Sequence, residues 1–225
     1  MRISVIVPTL NEEACIAASL AALPRAWEII VVDGGSTDRT RERAAAFARV
    51  VESPRGRAVQ LNAGAAAGTG DVLLFLHADA RLPERGPEEI ERAIRGGYVG
   101  GAFLGRFDSG HCGFRFAYPY RDWCTRFRFE IYGDQGIFAR RDAFLALGGY
   151  RPIPIMEDLD FIRRLRRRGR PKVVPYPILM SARRYLRYGV IRQTFKNLVI
   201  RQRFLWGHDP RELEPIYDRY WEEVP

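Results

Sequence analysis

Three apolar runs, each ended by a turn and tied to a helix-forming stretch, restrict this chain more than any other feature. RISVIVPTL, EIIVVDGG and DVLLFLHAD hold consecutive apolar residues without polar alternation. A strand with one face in water alternates, so strands of this kind are covered on both faces. NEEACIAASLAAL follows the first run, with Asn11 placed as a helix N-cap and acids in the first turn. A helix beginning near Thr37 or Asp38 follows the second, and Ala58 to Ala67 read as the helix before the third. Strands alternating with helices predict an α/β fold, a Rossmann-like, mostly parallel sheet flanked by helices. Ligands of such sheets sit beyond the carboxyl ends of the strands, where Thr9, Asp33 and Asp79 fall.

PEEIERAI continues as helix, and glycines at 96, 97, 100 and 101 mark turns before AFLGRF. From there to about Met180 the pattern suggests a smaller α+β half, with long loops around CGFRFAYPYRDWCTRF. A chain of 225 residues fits one domain. Cys15, Cys112 and Cys124 are odd in number and far apart, which suits small buried or half-buried side chains and excludes paired zinc or redox motifs. Five apolar positions precede Pro8, too few for a signal peptide, and no run reaches the ~18 residues of a membrane span. The expectation is a cytoplasmic chain.

Charge is unevenly placed. Residues 161–208 hold 14 Arg and Lys and no Asp or Glu, within a net charge of +9. Such a segment suits an anionic partner such as phosphate, acidic lipid or nucleic acid, or simply solvated helix faces. No nucleic-acid-binding motif accompanies the charge.

Several short stretches carry chemistry. DGGSTD puts Asp33 at a strand end and Gly35 and Ser36 in the turn, where backbone N–H groups can meet an anion and Asp33 a base; an ordinary capped turn would look the same. Arg57, at the start of a small-residue helix, can project toward the same strand ends, and a guanidinium suits a base carbonyl or a phosphate. His77 and Asp79 lie two apart on an extended segment, so their side chains leave one face. A hard cation could use Asp79 as its protein ligand and take other oxygens from a diphosphate. In IMEDLDFIRRLRRRG, Glu157 and Asp158 precede a helix with apolar residues at three-residue spacing, a place for a general base or for dipole partners.

Taken in order, PTLNEE, VVDGGSTD, the GR before LNAG, LFLHAD, GDQGIFARR, LGGY and MEDLDFIRRLRRRG resemble family 2 glycosyltransferases of the GT-A fold over roughly residues 1–170. The HAD variant, GDQGIFARR and SARRY resemble, more narrowly, a compact bacterial branch associated with radical-SAM proteins and arsenosugar-type biosynthesis. The resemblance implies a nucleotide-sugar-binding half over residues 1–100, an acceptor and catalytic half over 101–180 and a basic helical tail over 181–225. It places Pro8, Thr9 and Glu12 in the nucleoside pocket and Asp33 with Arg57 on the base. Asp79 would hold a divalent cation, Mn²⁺ or Mg²⁺, on the donor diphosphate. The family usually has an acid where His77 stands, and that position faces the ribose more than the metal. Asp158 would be the general base, with Glu157 beside it, in an inverting transfer from a nucleoside diphosphate sugar to an acceptor hydroxyl. A helix start and Arg163 and Arg164 are expected to favour its ionised form. Two other readings are a catalytically inactive nucleotide-sugar-binding protein and a binder of anionic membrane or nucleic acid.

On the acceptor side Gly136 allows backbone approach and the Gln135 amide suits sugar hydroxyls. Tyr118, Tyr120, Trp123 and Tyr132 either stack on a sugar or pack. VIRQTFKNLVIRQRFLW reads as an amphipathic helix with Ile191, Phe195, Leu198 and Leu205 on its apolar face. Docking on the core, peripheral contact with the inner face of a membrane and homodimerisation are the fates open to it. Arg183 and Arg184 are placed to close over the donor diphosphate.

Overall fold

The computed structural model describes residues 1–218. The first runs form β1 (Ile3–Thr9) and β2 (Glu28–Asp33), followed by a short edge strand β3 (Arg49–Glu52) and by β4 (Val72–Phe75); these pair in parallel in the order β3-β2-β1-β4. Helices α1 (Ile16–Ala21), α2 (Thr40–Ala45) and α3 (Arg57–Ala67) form the crossovers. After α4 (Gly86–Arg95), strand β5 (Gly100–Phe107) leads into α5 (Cys112–Trp123), which continues as a π turn over Cys124–Arg128. β6 (Ile137–Arg140) then runs antiparallel between β4 and β5, and β7 (Pro171–Met180) closes the sheet parallel to β5. Between these last strands lie α6 (Arg141–Ala146) and α7 (Glu157–Leu165); α8 (Arg183–Tyr188), α9 (Val190–Leu205) and α10 (Pro210–Asp218) follow.

The absence of alternation in the strands has the expected cause. Along β1, Val5 and Val7 enter one core with Leu20, Leu74 and Ile90, while Ile6 enters the opposite core with Leu61, Phe75 and Phe161. Successive side chains thus fill layers on both sides of the sheet. Helix α3 lies so close that a Cβ at Gly64 would fall 2.4 Å from Ile6 Cγ2 and 2.9 Å from Val32 Cγ2. Gly64→Ala is therefore expected to destabilise the fold by about 1–3 kcal/mol through overpacking, read as a lower midpoint in urea unfolding with an unchanged slope.

Several expectations need correction. Asn11 does not cap α1: its φ is +55°, and its side-chain oxygen accepts the Thr37 N–H at 2.9 Å. The polar group is spent on the neighbouring turn, so the helix begins only at Ile16, and α2 begins at Thr40, two residues after Asp38. Strand β4 stops at Phe75, and Ala80 N–H bonds back to the His77 carbonyl at 3.1 Å, so residues 77–80 form a turn in place of an extended segment. The aromatic stretch expected as loops is helix α5. It buries Phe114 alone, so it lacks the core-facing stripe by which a helix is recognised. Cys112 is exposed, unlike the other two cysteines.

Helix α9 does dock on the core, but through a different face. Val190, Gln193, Ile200 and Arg201 are buried, whereas Ile191 and Phe195 of the expected apolar face point outward. Among the described residues no helix is long and apolar enough to cross a membrane.

Candidate active site

A cleft of about 1050 Å³ lies beyond the carboxyl ends of β1 and β4, between the strand ends, α5, α7 and the α8–α9 segment. Pro8, Thr9, Glu12, Arg57, His77, Asp79, Asp158, Arg183 and Arg184 all reach its wall, which brings together motifs up to 176 positions apart. Gln60 from α3 donates to the carbonyls of Thr9 and Val32, both at 2.9 Å, and locks the helix start to the strand ends.

Asp33, Gly35 and Ser36 are not on that wall. Asp33 sits opposite Thr9 in the sheet register and is 1% exposed. Its carboxylate accepts the backbone N–H groups of Gly35 at 3.0 Å and Ser36 at 2.9 Å, and the Ser36 and Thr9 hydroxyls. Four donors fill the lone-pair sites of one carboxylate. In this conformation the anion held by the turn is Asp33 itself, which fixes the loop and is not presented to a base.

On the other side of the cleft Arg183 bridges two acids. Its Nη2 lies 2.7 Å from Glu12 Oε1 and 3.2 Å from Asp79 Oδ2. Arg184, by contrast, donates to the Tyr217 hydroxyl and lies over that ring. Among the described residues no three histidine, cysteine or acidic side chains cluster as a metal cage. Asp79 nevertheless faces the cleft with its side chain 25% exposed, a donor set of one carboxylate that suits a hard cation whose other ligands come from phosphate oxygens and water. The His77 imidazole is held below its usual pKa, first by burial and then by the Arg57 guanidinium, which favours the neutral ring.

The far end of the cleft is built on the first turn of α7. Met156, at φ +63°, turns the chain so that Glu157 and Asp158 both point inward. Asp158 Oδ2 accepts the Gly133 N–H at 2.6 Å and Oδ1 accepts the Leu159 N–H at 2.7 Å. Gly133 leaves room there: a Cβ would lie 2.9 Å from His77 Nε2, so the imidazole would have to shift, and 3.5 Å from Asp158 Oδ2. Glu157 is fully buried, with Arg57 Nε donating to Oε1 and, among the described residues, no partner for Oε2. Arg57 is thus held by Glu157, with its Nη2 4.0 Å from Asp158, rather than extended toward a base.

Burial, and then the neighbouring Glu157, push the Asp158 carboxyl up to about 7, against the opposing pull of Arg57 and the two N–H donors. The sequence-based expectation had the opposite sign. Arg164 is spent on Asp160 and on the carbonyls of Leu147 and Gly149, and Arg163 faces solvent. A carboxyl poised near neutral pH inside a cleft is what a general base requires.

The predicted acceptor-side residues are elsewhere. Gln135 is 0% exposed, its amide donating to the Phe103 carbonyl and the Thr125 hydroxyl while its oxygen accepts the Tyr132 N–H. Gly136 is buried, where its φ of +62° turns the chain into β6. Trp123 points outward, stacked on Tyr120. Of the aromatic candidates Tyr120 and Tyr132 do line the cleft there, together with Arg121, Asp134 and Arg201, which sequence reasoning did not select as site residues. Asp134 is next to Gly133 in GDQG, and that neighbour was the available signal; Arg201 had none, being one arginine among many.

The sheet order with its one reversed strand, and a cleft at the strand ends, are those of the GT-A fold. Structures of that kind include a mannosyltransferase from Pyrobaculum calidifontis solved with GDP-Man and Mn²⁺, which matches at 23% identity and TM-score 0.68 over 96% of this chain and 67% of that one. Staphylococcus aureus TarS with UDP-GlcNAc matches at 19% identity and TM-score 0.61, over 80% of this chain and 58% of the other. Residues 4–146 match the profile of glycosyl transferase family 2, and the chain belongs to that family. An undecaprenyl-phosphate 4-deoxy-4-formamido-L-arabinose transferase of Pseudomonas paraeruginosa is 33% identical over 42% of this chain and 33% of its own length. A glycosyltransferase of PGL/p-HBAD biosynthesis from Mycobacterium bovis is 39% identical over 36% of each chain. The chain thus matches about a third of the length of these curated relatives.

Proposed function

We propose that this chain is an inverting glycosyltransferase that moves a sugar from a nucleoside diphosphate sugar to an acceptor hydroxyl, with Asp158 as general base. The observation that carries the reading is a carboxyl near pKa 7 at the start of α7, in the cleft that also holds Pro8, Thr9, Glu12 and Asp79. Neighbours of the same fold hold GDP-Man and UDP-GlcNAc, which supports a donor of this class. The HAD variant and the GDQGIFARR and SARRY stretches support a place in the compact radical-SAM-associated branch.

Asp158 takes the proton of the acceptor hydroxyl as that oxygen bonds to the anomeric carbon. The bond from that carbon to the diphosphate breaks on the opposite face, and the electron pair leaves with the nucleoside diphosphate. The Gly133 and Leu159 N–H groups hold the carboxylate in place, and Arg57 stays beside it as a counter-charge. Pro8, Thr9 and Glu12 bound the nucleoside end, and His77, as a neutral ring, suits a ribose hydroxyl. Asp79 would hold a divalent cation, Mn²⁺ or Mg²⁺, which when bound with the donor neutralises charge on the leaving diphosphate. Arg183, which bridges Glu12 and Asp79, can exchange these acids for phosphate oxygens.

Isothermal titration with UDP and GDP tests this reading. One of the two is expected to bind, more tightly with Mn²⁺ present. Asp79→Ala should abolish the gain from Mn²⁺ while keeping the metal-free affinity within about threefold, since one surface-accessible carboxylate is removed and the nucleoside pocket is untouched. A metal gain that survives in Asp79→Ala would remove Asp79 from the site.

A further inference from the structure

The outer faces of α5 and α9 carry large apolar side chains that the fold leaves in water. On α5 and its π turn, Phe116, Tyr120, Trp123 and Phe127 are 85%, 48%, 48% and 68% exposed. Their spacing of four, three and four residues sets them on one face, and the rings form a row, with centroids 6.5 Å apart for Tyr120–Trp123 and 6.3 Å for Trp123–Phe127. Helix α9 lies alongside: a Cβ at Gly113 would meet Val190 Cγ1 at 3.1 Å, and farther along Arg201 donates to the Tyr120 hydroxyl at 3.2 Å. The two helices therefore run side by side in the same direction. Ile191 and Phe195 on α9, and Trp206 just past its end, are 84%, 68% and 73% exposed at intervals that also fall on one face.

Charge accompanies these rows. From Cys112 to Arg128 the one acid is Asp122, and both its oxygens accept from Arg106. No acid occurs from Ser181 to His208. Arg115 and Arg126 on the first helix and its turn, and Arg192 and Arg203 on the second, are exposed beside the apolar rows. Tryptophan and tyrosine settle at the boundary between acyl chains and head groups, and arginine there meets anionic lipid. A second copy of the chain would bring arginine-rimmed faces against each other, an arrangement opposed by like charge.

We infer that the paired outer faces of α5 and α9 form an interfacial surface that seats this chain on an anionic lipid bilayer. The inner faces of the same helices, with Ala117 and Arg121 on one and Thr194 and Arg201 on the other, line the cleft. Seated in this way, that end of the cleft lies near head-group level. The surface is separate from Asp158 and Asp79, so the inference stands or falls apart from the proposed reaction.

Co-sedimentation of the full chain with vesicles tests it, comparing phosphatidylcholine alone with phosphatidylcholine mixed with phosphatidylglycerol. The chain is expected to pellet with the anionic vesicles, less so as salt rises, and weakly with the neutral ones. Phe116→Ser together with Phe195→Ser should lower partitioning roughly tenfold or more, two aromatic side chains having been withdrawn from the interface. Both positions are exposed, so the thermal midpoint of this variant should match the wild type. Failure to pellet with anionic vesicles, or undiminished pelleting of the double variant, would overturn the inference. A lipid-free dimer dissolved by the same substitutions, without vesicle binding, would assign the face to a second copy instead.

Discussion

Asp158→Asn is expected to lower transfer by about 10²–10⁴-fold, the usual worth of a positioned general base, with donor affinity unchanged. The amide keeps the size of the side chain, and its oxygen can still accept one of the N–H bonds now made by Gly133 and Leu159. What it loses is the ability to take a proton. In the wild type the base is active only when ionised, so kcat/KM should rise with pH and level off above about 7, where the Asp158 carboxyl titrates. The same shift has a stability consequence. The folded-state value is raised above the ordinary 3.8, so this group favours the folded state fully below that value, and the advantage is lost as pH rises through about 7. Asp158→Asn stays neutral throughout and should therefore be more stable than the wild type at pH 8 and similar to it near pH 4. A variant that transfers at the wild-type rate would remove Asp158 from the role.

The second large effect is on stability. Arg57→Ala leaves Glu157, whose side chain is 1% exposed, without the one cation that pairs with it among the described residues. Breaking a buried pair by removing one partner strands the other, and the loss here should be about 3 kcal/mol, at the low end because Arg57 keeps 33% of its side-chain exposure. Urea unfolding measures it. Adding Glu157→Gln to Arg57→Ala should restore most of the loss, since the stranded charge is then gone. Activity gives an independent readout: without the guanidinium 4.0 Å from Asp158, the midpoint of the pH profile should move above about 7. An unchanged profile would mean that Arg57 does not act on the base.

Much of this arrangement can be read from the order of residues. The runs that became β1, β2 and β4 are legible because each must fill a core on either side, and their carboxyl ends mark where a ligand can sit. Topology places Thr9, Asp33 and Asp79 at those strand ends with Arg57 and His77 beside them, whereas Glu12, Glu157 and Asp158 are brought to the same site by the resemblance to family 2 glycosyltransferases. Strand β3 escaped notice because it is four residues at the sheet edge with only Val50 and Val51 partly covered. Helix α5 was hidden for the opposite reason, as its aromatic residues face outward and Pro119 interrupts its pattern. Asp33 and Gln135 show a different limit. Each is a polar residue at a plausible place, and only the hydrogen bonds of the folded chain reveal that its groups are already used. Pattern locates a polar side chain, whereas availability depends on the partners that the fold supplies.

The sign of the Asp158 shift belongs with these cases. Charges close in sequence suggested an ionised group, yet Arg163 and Arg164 turn away from it while Glu157 and burial act from within the cleft. Distance along a helix is a poor guide to electrostatics once side chains choose opposite faces.

The most direct measurement is the stereochemistry of slow donor hydrolysis, followed by NMR as α-linked UDP- and GDP-sugars are incubated with the chain and Mn²⁺. The account predicts that at least one donor releases its nucleoside diphosphate, that the first sugar to appear is the inverted β anomer, and that Asp158→Asn suppresses the release. Release of the retained α anomer, or equal release by the wild type and Asp158→Asn, would contradict it.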